Sequence, residues 1–444
     1  MGKLFGTDGV RGEANTELSA LLALKLGSAA AYVLRKKHEG AKMLIGRDPR
    51  ISGDILESAM AAGICALGVD VHLTDVLPTP AAAFLTQLIH ADAGIVISAS
   101  HNPMADNGIK FFGPDGYKLL DEIEAEIEQQ VDNFAALPRP RGNAVGRMYR
   151  AHDLVDTYME HVRRVFHHRL EGMTIALDCA NGAVYEVAPE LFSELGARTT
   201  VINDRPDGTN INQKCGSLYP QALQKLVVDA GAQMGLAFDG DGDRAILIDE
   251  RGNVVDGDHV MAMCALDMAE KGRLAGNLVV STVMSNIGLE LTLARQGISL
   301  IRTQVGDRYV SDEMRRTGAI LGGEKSGHLI FGEHSTTGDG MITASQVLSI
   351  MLESGKSLSE LAAQMKESPQ ILINVPVREM DWDQVPDIAK AVKTGDDRLS
   401  GRGRVFVRAS GTERLIRVMA EGPDLAELRE ITEDICAAVR KTLG

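Results

Sequence analysis

The chain has 444 residues, 44% of them hydrophobic, which is ample for several buried cores and, at roughly 100–200 residues per domain, for about three domains by length alone. A net charge of −15 argues against general nucleic-acid binding, so any phosphate the chain handles must meet local arginines, local lysines or a metal. Cys65, Cys179, Cys215, Cys264 and Cys436 are far apart and lack metal-ligand spacing, which implies free thiols. No apolar run reaches the roughly 18 residues that span a bilayer and residues 1–12 have no signal core, so a cytoplasmic location with no membrane association is expected.

Glycine is abundant and aromatic residues make up 4% of the chain, a composition that fits α/β architecture with its recurring tight turns. Residues 42–46 (KMLIG) read as a strand, 48–53 as a turn, 55–67 as a helix and 69–73 as a strand. The β-branched run at 94–98 (GIVIS) predicts a strand buried on both faces. The acidic segment 121–132 predicts a solvated helix, and the Pro-rich 137–142 a linker.

A second unit repeats this grammar. It has strands at 173–178, 199–202 and 234–238, and helices at 184–195, closed by Gly196, and at 220–230. A third has strands at 278–281, 299–303 and 319–321, with helices from 286, from 307 and after 339. Alternation of this kind predicts three doubly wound α/β units with parallel or mixed sheets. The last unit differs: strands at 370–377, 404–407 and 415–421 and an amphipathic helix at 425–443 predict a smaller α+β domain after a linker near 366–369. The expected domains are 1–145, 146–254, 255–367 and 368–444.

The segment DGDGDR places Asp239, Asp241 and Asp243 at alternate positions after an apolar strand. Packed together they repel, and a hard divalent cation with oxygen ligands relieves the repulsion. An EF-hand is the obvious rival. It fails because Arg244 stands at the sixth loop position, where the turn demands Gly, and the flanks read as strands. A plain solvated acidic turn is the simpler alternative. Ser100, in SASHNP, follows the buried strand and has His101 beside it. Ligands of open α/β sheets bind at the carboxyl ends of strands, so a nucleophile here is reasonable, although Ser is also common in ordinary turns. A phosphoryl-carrying hydroxyl gains from a nearby divalent cation, and Lys110 offers an ammonium to the same group.

Three further segments carry weaker signals. FGTDGVRG contributes Arg11, a phosphate partner or simply a surface arginine. GEKSGH is not a P-loop; Glu324 and Ser326 could bind vicinal sugar hydroxyls, and His328 could move protons or be structural. RASGTE, with Arg408, Ser410, Gly411 and Thr412, and Arg417 beyond it, has the makings of a phosphate nest or a plain turn.

Taken together and in this order, FGTDGVRG, ASHNP, DGDGDR, GEKSGH and RASGTE closely resemble the α-D-phosphohexomutase family, across the whole chain. The opening, the stretch ASHNPMADNGIKFF and the ending SGTERLIRVMAEG are most similar to its bacterial glucosamine branch. The resemblance implies four domains around a central cleft with a C-terminal lid. It implies a phosphoserine at Ser100, and one Mg²⁺ held by Asp239, Asp241, Asp243 and the Ser100 phosphate. It implies sugar recognition by Glu324 and Ser326, and a distal phosphate gripped by Arg408, Ser410, Gly411, Thr412 and Arg417. Arg11, His101, Lys110, Arg244 and His328 would line the reacting centre.

The implied reaction is glucosamine 6-phosphate to glucosamine 1-phosphate through a bisphosphate, with glucosamine or glucose 1,6-bisphosphate as activator, feeding UDP-N-acetylglucosamine and the cell wall. Two departures stand out: Lys325 where the branch usually has an amide, and Arg414 in place of a usual proline. The first puts substrate preference in question; the second would loosen its loop or add a phosphate ligand. Another hexose-phosphate mutase, a phosphatase and a non-catalytic phosphosugar-binding regulator remain as alternatives. The partner expected is a small phosphosugar. The oligomeric state is left open, a homodimer being the assembly considered.

Overall fold

The structure, a computed structural model, describes residues 4–35, 40–409 and 414–444. They form two compact units, one of residues 1–284 with 298–364, the other of 285–297 with 365–444.

The larger unit contains three sheets. The first has six strands in the order Val10–Glu13, Asp106–Phe112, Ala93–Ile97, Lys42–Arg47, Asp70–Val76 and Met148–Arg150. The last four run parallel, and the first two are joined on antiparallel. The second sheet has five strands, in the order Val254–Val255, Ala245–Asp249, Met234–Phe238, Thr174–Asp178 and Arg198–Ile202. The third has four: Ser299–Thr303, Leu278–Thr282, Leu321–Gly323 and Leu329–Phe331. These are the mixed doubly wound sheets that the alternation predicts. Ala93–Ile97 is buried at every position, as a continuous apolar strand covered on both faces must be.

The smaller unit is an antiparallel sheet in the order Gln370–Pro376, Leu415–Glu421 and Arg404–Ala409, with helices Pro386–Leu399 and Leu425–Leu443. It takes in the helix Ile287–Ala294, which the sequence order groups with the third sheet. The reason is local bonding. Asn286 Nδ2 donates to the Ser368 carbonyl at 3.0 Å, and the Ile287 N–H donates to Glu421 Oε1 at 3.1 Å. Gly288 lets the chain pass, since a Cβ there would stand 2.3 Å from the Lys366 carbonyl oxygen.

The sequence reading assigned no element to the strand Asp106–Phe112. Asn and Gly are depleted in strands, which hides the pattern. Here Gly108 is needed because a Cβ would lie 2.4 Å from the Ser98 carbonyl oxygen. The helices Ala20–Leu34, Thr79–Leu88, Leu154–Val165 and Pro386–Leu399 also carried no prediction. The acidic helix Asp121–Asp132 forms as predicted and turns Ile127 and Val131 inward. No helix among the described residues is long and apolar enough to cross a membrane.

Candidate active site

Ser100 sits in the turn leaving Ala93–Ile97, buried, with a left-handed φ of 51° that is uncommon for any residue but glycine. Its Oγ donates to Asp239 Oδ2 at 2.5 Å and lies 3.3 Å from His101 Nδ1. Burial first, then the nearby Arg244 and Arg11 cations, holds the His101 pKa down at about 4, so its imidazole is neutral near pH 7.

Asp239, Asp241 and Asp243 lie on the turn between the antiparallel strands Met234–Phe238 and Ala245–Asp249. One oxygen from each comes within 4.8 Å of the others, and all three residues are buried. Gly240 lets this loop press on the serine turn: a Cβ there would stand 2.5 Å from the Ser100 carbonyl oxygen. Burial and then the charges of Asp243 and Asp241 raise the Asp239 pKa well above the ordinary carboxylate range. Asp241 Oδ1 and Asp243 Oδ1 are buried with no hydrogen-bond partner. Two orphaned carboxylate oxygens inside a cluster of three anions are what a hard divalent cation would satisfy, so the residues fit a metal of the magnesium or calcium type.

Around this cluster runs a closed ring of acidic and basic side chains. Lys110 Nζ lies 3.6 Å from Asp243 Oδ2 and 3.3 Å from Asp8 Oδ2. Lys118 bonds both Asp8 and Asp307. Asp307 Oδ2 is 3.8 Å from His328 Nε2, and His328 Nδ1 is 3.5 Å from Asp243 Oδ2. Burial opposes a charge on His328, but Asp243 and Asp307 outweigh it and raise its pKa. The Gly338 N–H donates to Nε2 at 2.9 Å, which places the proton of the neutral ring on Nδ1, facing Asp243. Lys110 also bonds Asp241 Oδ2 at 2.8 Å, an oxygen that accepts from Thr79 Oγ1 at 2.5 Å as well.

A cleft of about 390 Å³ opens beside the ring, lined among others by Asp8, Arg11, His101, Asp243, Arg244 and Glu324. Arg11 pairs with Asp8, and Arg244 Nε is 3.7 Å from Asp243 Oδ1. Glu324 Oε1 accepts the Gly306 N–H at 3.1 Å, and Ser326 Oγ is buried with no hydrogen-bond partner. Lys325 does not line this cleft; its Nζ lies 3.4 Å from Asp256 Oδ2.

The structure thus gathers Ser100, His101, Lys110, Arg11, Arg244, His328, the three aspartates and Glu324 of the larger unit. Arg408 and Arg417 belong to the smaller unit, opposite each other on paired strands. Like charges in that position are unfavourable, and the Arg417 Nε is buried without a partner, so the pair suits an anion. Ser410, Gly411 and Thr412 lie outside the described residues. Sequence reasoning missed Asp8, Thr79, Lys118 and Asp307, as well as Asp48 and Arg50 behind the serine turn. Asp8 stood inside the quoted FGTDGVRG; the others carried no motif.

Comparison with known proteins agrees with this picture. The phosphoglucomutase/phosphomannomutase family matches in four parts: alpha/beta/alpha domain I at residues 2–136, domain II at 156–252, domain III at 256–368 and the C-terminal domain at 372–438. The phosphoglucosamine mutase of Desulforamulus reducens is 53% identical over 99% of both chains. That of Pelotomaculum thermopropionicum is 54% identical over 97% of both. Among solved structures, a phosphoglucomutase/phosphomannomutase family protein from Burkholderia thailandensis superposes with a TM-score of 0.80 at 23% identity, covering 98% of this chain and 97% of the other. Aspergillus fumigatus N-acetylphosphoglucosamine mutase, solved in complex with GlcNAc-6P and magnesium, gives 0.72 at 19% identity, covering 100% and 96%. The chain belongs to the phosphoglucosamine mutases, within the phosphoglucomutase/phosphomannomutase family.

Proposed function

We propose that this chain interconverts glucosamine 6-phosphate and glucosamine 1-phosphate, with Ser100 carrying the phosphoryl group between turnovers. The observation that carries the reading is the Ser100 hydroxyl held 2.5 Å from Asp239 within a buried trio of aspartates flanked by Lys110, Arg11 and Arg244. The relatives at 53% and 54% identity, named for this reaction, support it.

In the forward direction the bond between Ser100 Oγ and phosphorus breaks as the sugar O1 takes the phosphoryl group and gives up its proton. The resulting 1,6-bisphosphate reorients and returns its 6-phosphoryl group to Ser100. Asp239, Asp241 and Asp243, with the Ser100 phosphate, would hold one Mg²⁺, which neutralises charge on the transferring oxygens. Lys110, Arg11 and Arg244 add fixed positive charge around the group in flight.

Neutral His101 stands within reach of Ser100 Oγ and can accept a proton there; His328, with Nδ1–H toward Asp243, is placed to exchange one across the ring. Glu324 and Ser326 bind sugar hydroxyls. Arg408, Ser410, Gly411, Thr412 and Arg417 hold the phosphate that is not reacting. Glucosamine or glucose 1,6-bisphosphate serves as activator by phosphorylating Ser100. The ion pair of Lys325 with Asp256 supports the aminated substrate, because the lysine charge is neutralised by a carboxylate outside the cleft lining.

The test compares glucosamine, glucose and mannose 6-phosphates with the magnesium-loaded protein and catalytic bisphosphate. At least tenfold higher kcat/KM with the glucosamine ester is expected; a poor rate with it would overturn the substrate assignment. Ser100→Ala is expected to abolish turnover, and retained mutase activity would refute the covalent carrier.

A further inference from the structure

Behind the serine turn, Arg50 is fully buried and uses all five guanidinium N–H groups. Nε donates to Asp48 Oδ2 at 2.8 Å. Nη2 donates to the carbonyls of Ser100 at 3.0 Å and Asn102 at 2.8 Å. Nη1 donates to the carbonyls of Pro103 and of Asp106, the latter at 3.1 Å. Asp48 also accepts the Ser98 hydroxyl at 2.6 Å, and Ser98 Oγ accepts the Ser100 N–H at 2.9 Å. From the second sheet's side, Asn212 Nδ2 donates to the same two carbonyls, Ser100 at 2.8 Å and Asn102 at 3.1 Å. Both ends of the Ser100 peptide are therefore tied, its N–H through Ser98 to Asp48 and its carbonyl to Arg50 and Asn212.

We infer that Arg50, assisted by Asn212, is the positioning residue for the phosphoryl-carrying serine. A non-glycine residue at φ 51° is strained and persists only where its surroundings over-determine it. The guanidinium fork supplies that constraint through the backbone carbonyls of the turn, away from Oγ in bonding, since Oγ itself bonds Asp239. With the Ser100 carbonyl drawn onto Arg50 and Asn212, Oγ is left facing Asp239. Neither Arg50 nor Asn212 lines the cleft, so their contribution falls on the placement of the serine and leaves sugar binding alone. A displacement of about 1 Å at a reacting atom can lower a rate 10²-fold.

The inference rests on Ser100 as carrier, and the experiment separates the two claims. Arg50→Lys keeps the charge and loses the fork; Asn212→Ala removes the second clamp at a half-buried position. In the full-length, magnesium-loaded protein, Arg50→Lys is expected to lower kcat about 10²-fold and Asn212→Ala about tenfold, with KM for the sugar phosphate within about twofold of the parent. A merely structural role would lower the melting temperature and leave kcat per folded molecule unchanged. Folded variants with the parent kcat, or with KM rising in step with the loss, overturn the inference. If Arg50→Lys does not fold, Asn212→Ala decides by the same criteria. Loss of activity in Ser100→Ala with both other variants active sinks the positioning claim alone, whereas an active Ser100→Ala removes both claims.

Discussion

Lys110 Nζ lies 2.8 Å from Asp241 Oδ2, and the other oxygen of that buried carboxylate, Oδ1, has no hydrogen-bond partner. One oxygen of this side chain is thus held by a fixed cation while the other is buried without a hydrogen bond. The lysine lies against three carboxylates: Asp241, Asp243 and Asp8.

Replacing that lysine separates its two effects. Lys110→Met keeps the side-chain length and removes a positive charge that competes with a bound cation. Titration calorimetry is expected to show magnesium binding about tenfold tighter, worth about 1.4 kcal/mol, while kcat falls at least 10²-fold. Unchanged or weaker cation affinity would show that Lys110 does not share the field of the aspartates.

Asp239 gives a stability prediction with a definite pH sense. Burial and then Asp243 and Asp241 push its folded pKa well above the ordinary value, so its carboxylate form is disfavoured by folding in the absence of metal. In EDTA near pH 7, Asp239→Asn is expected to be more stable than the parent by about 1–2 kcal/mol. The parent should gain stability as the pH falls through the raised folded pKa, closing the gap. The gain should stop near the ordinary aspartate value of about 3.9, where the unfolded carboxyl also takes up a proton. Added magnesium should reverse the order, stabilising the parent and leaving the variant unmoved. Thermal melts over a pH series check both signs.

Lys118 joins Asp8 to Asp307 and is itself half-buried. Lys118→Met would remove the cation shared by Asp8 and Asp307, leaving Asp8 to Lys110 and Arg11 and Asp307 beside His328, and a loss of about 1–3 kcal/mol is expected from the denaturant midpoint. Adding Asp307→Asn should recover part of it. With Asp307→Asn alone completing the cycle, single losses that simply add in the double variant would show no coupling between the pair.

All five cysteines are free and buried. Burial raises the Cys65 thiol to about 11 and the Cys215 thiol to about 12, and raises Cys179, Cys264 and Cys436 as well. At pH 8 a thiol of pKa about 11 is ionised in about one molecule in 10³, and the thiolate is the reactive form. Iodoacetamide should therefore label none of the five in the native protein and all five in concentrated guanidinium; mass spectrometry of a native digest showing alkylation would contradict this.

Much of the site was legible because its chemistry is written in short segments. Alternate aspartates with glycines between them point to a candidate cation loop by their repulsion, and a serine after a fully apolar strand points to a candidate nucleophile at a strand end. The strand Asp106–Phe112 was not legible, since its Asn and Gly mimic a loop; Gly108 is there for close approach to the Ser98 carbonyl. Lys325, which the sequence set beside Glu324 of the cleft, turned out to face Asp256, a partner 69 positions away in number and invisible to any local pattern.

By itself the amino-acid sequence determined the alternation of strands and helices, the loop Asp239–Asp243 as a set of three carboxylates suited to a cation, and the serine at the end of an apolar strand. Those features depend on neighbouring residues and on the period of the backbone. Only the tertiary structure decided which charges meet: Lys118 with Asp307 across 189 positions, Lys110 with Asp241 across 131, and Arg50 with the carbonyls of the serine turn. Buried charges and backbone carbonyls must find partners once water is gone, and the partner is whichever group the packed sheets bring within reach, a choice that no short stretch of chain encodes.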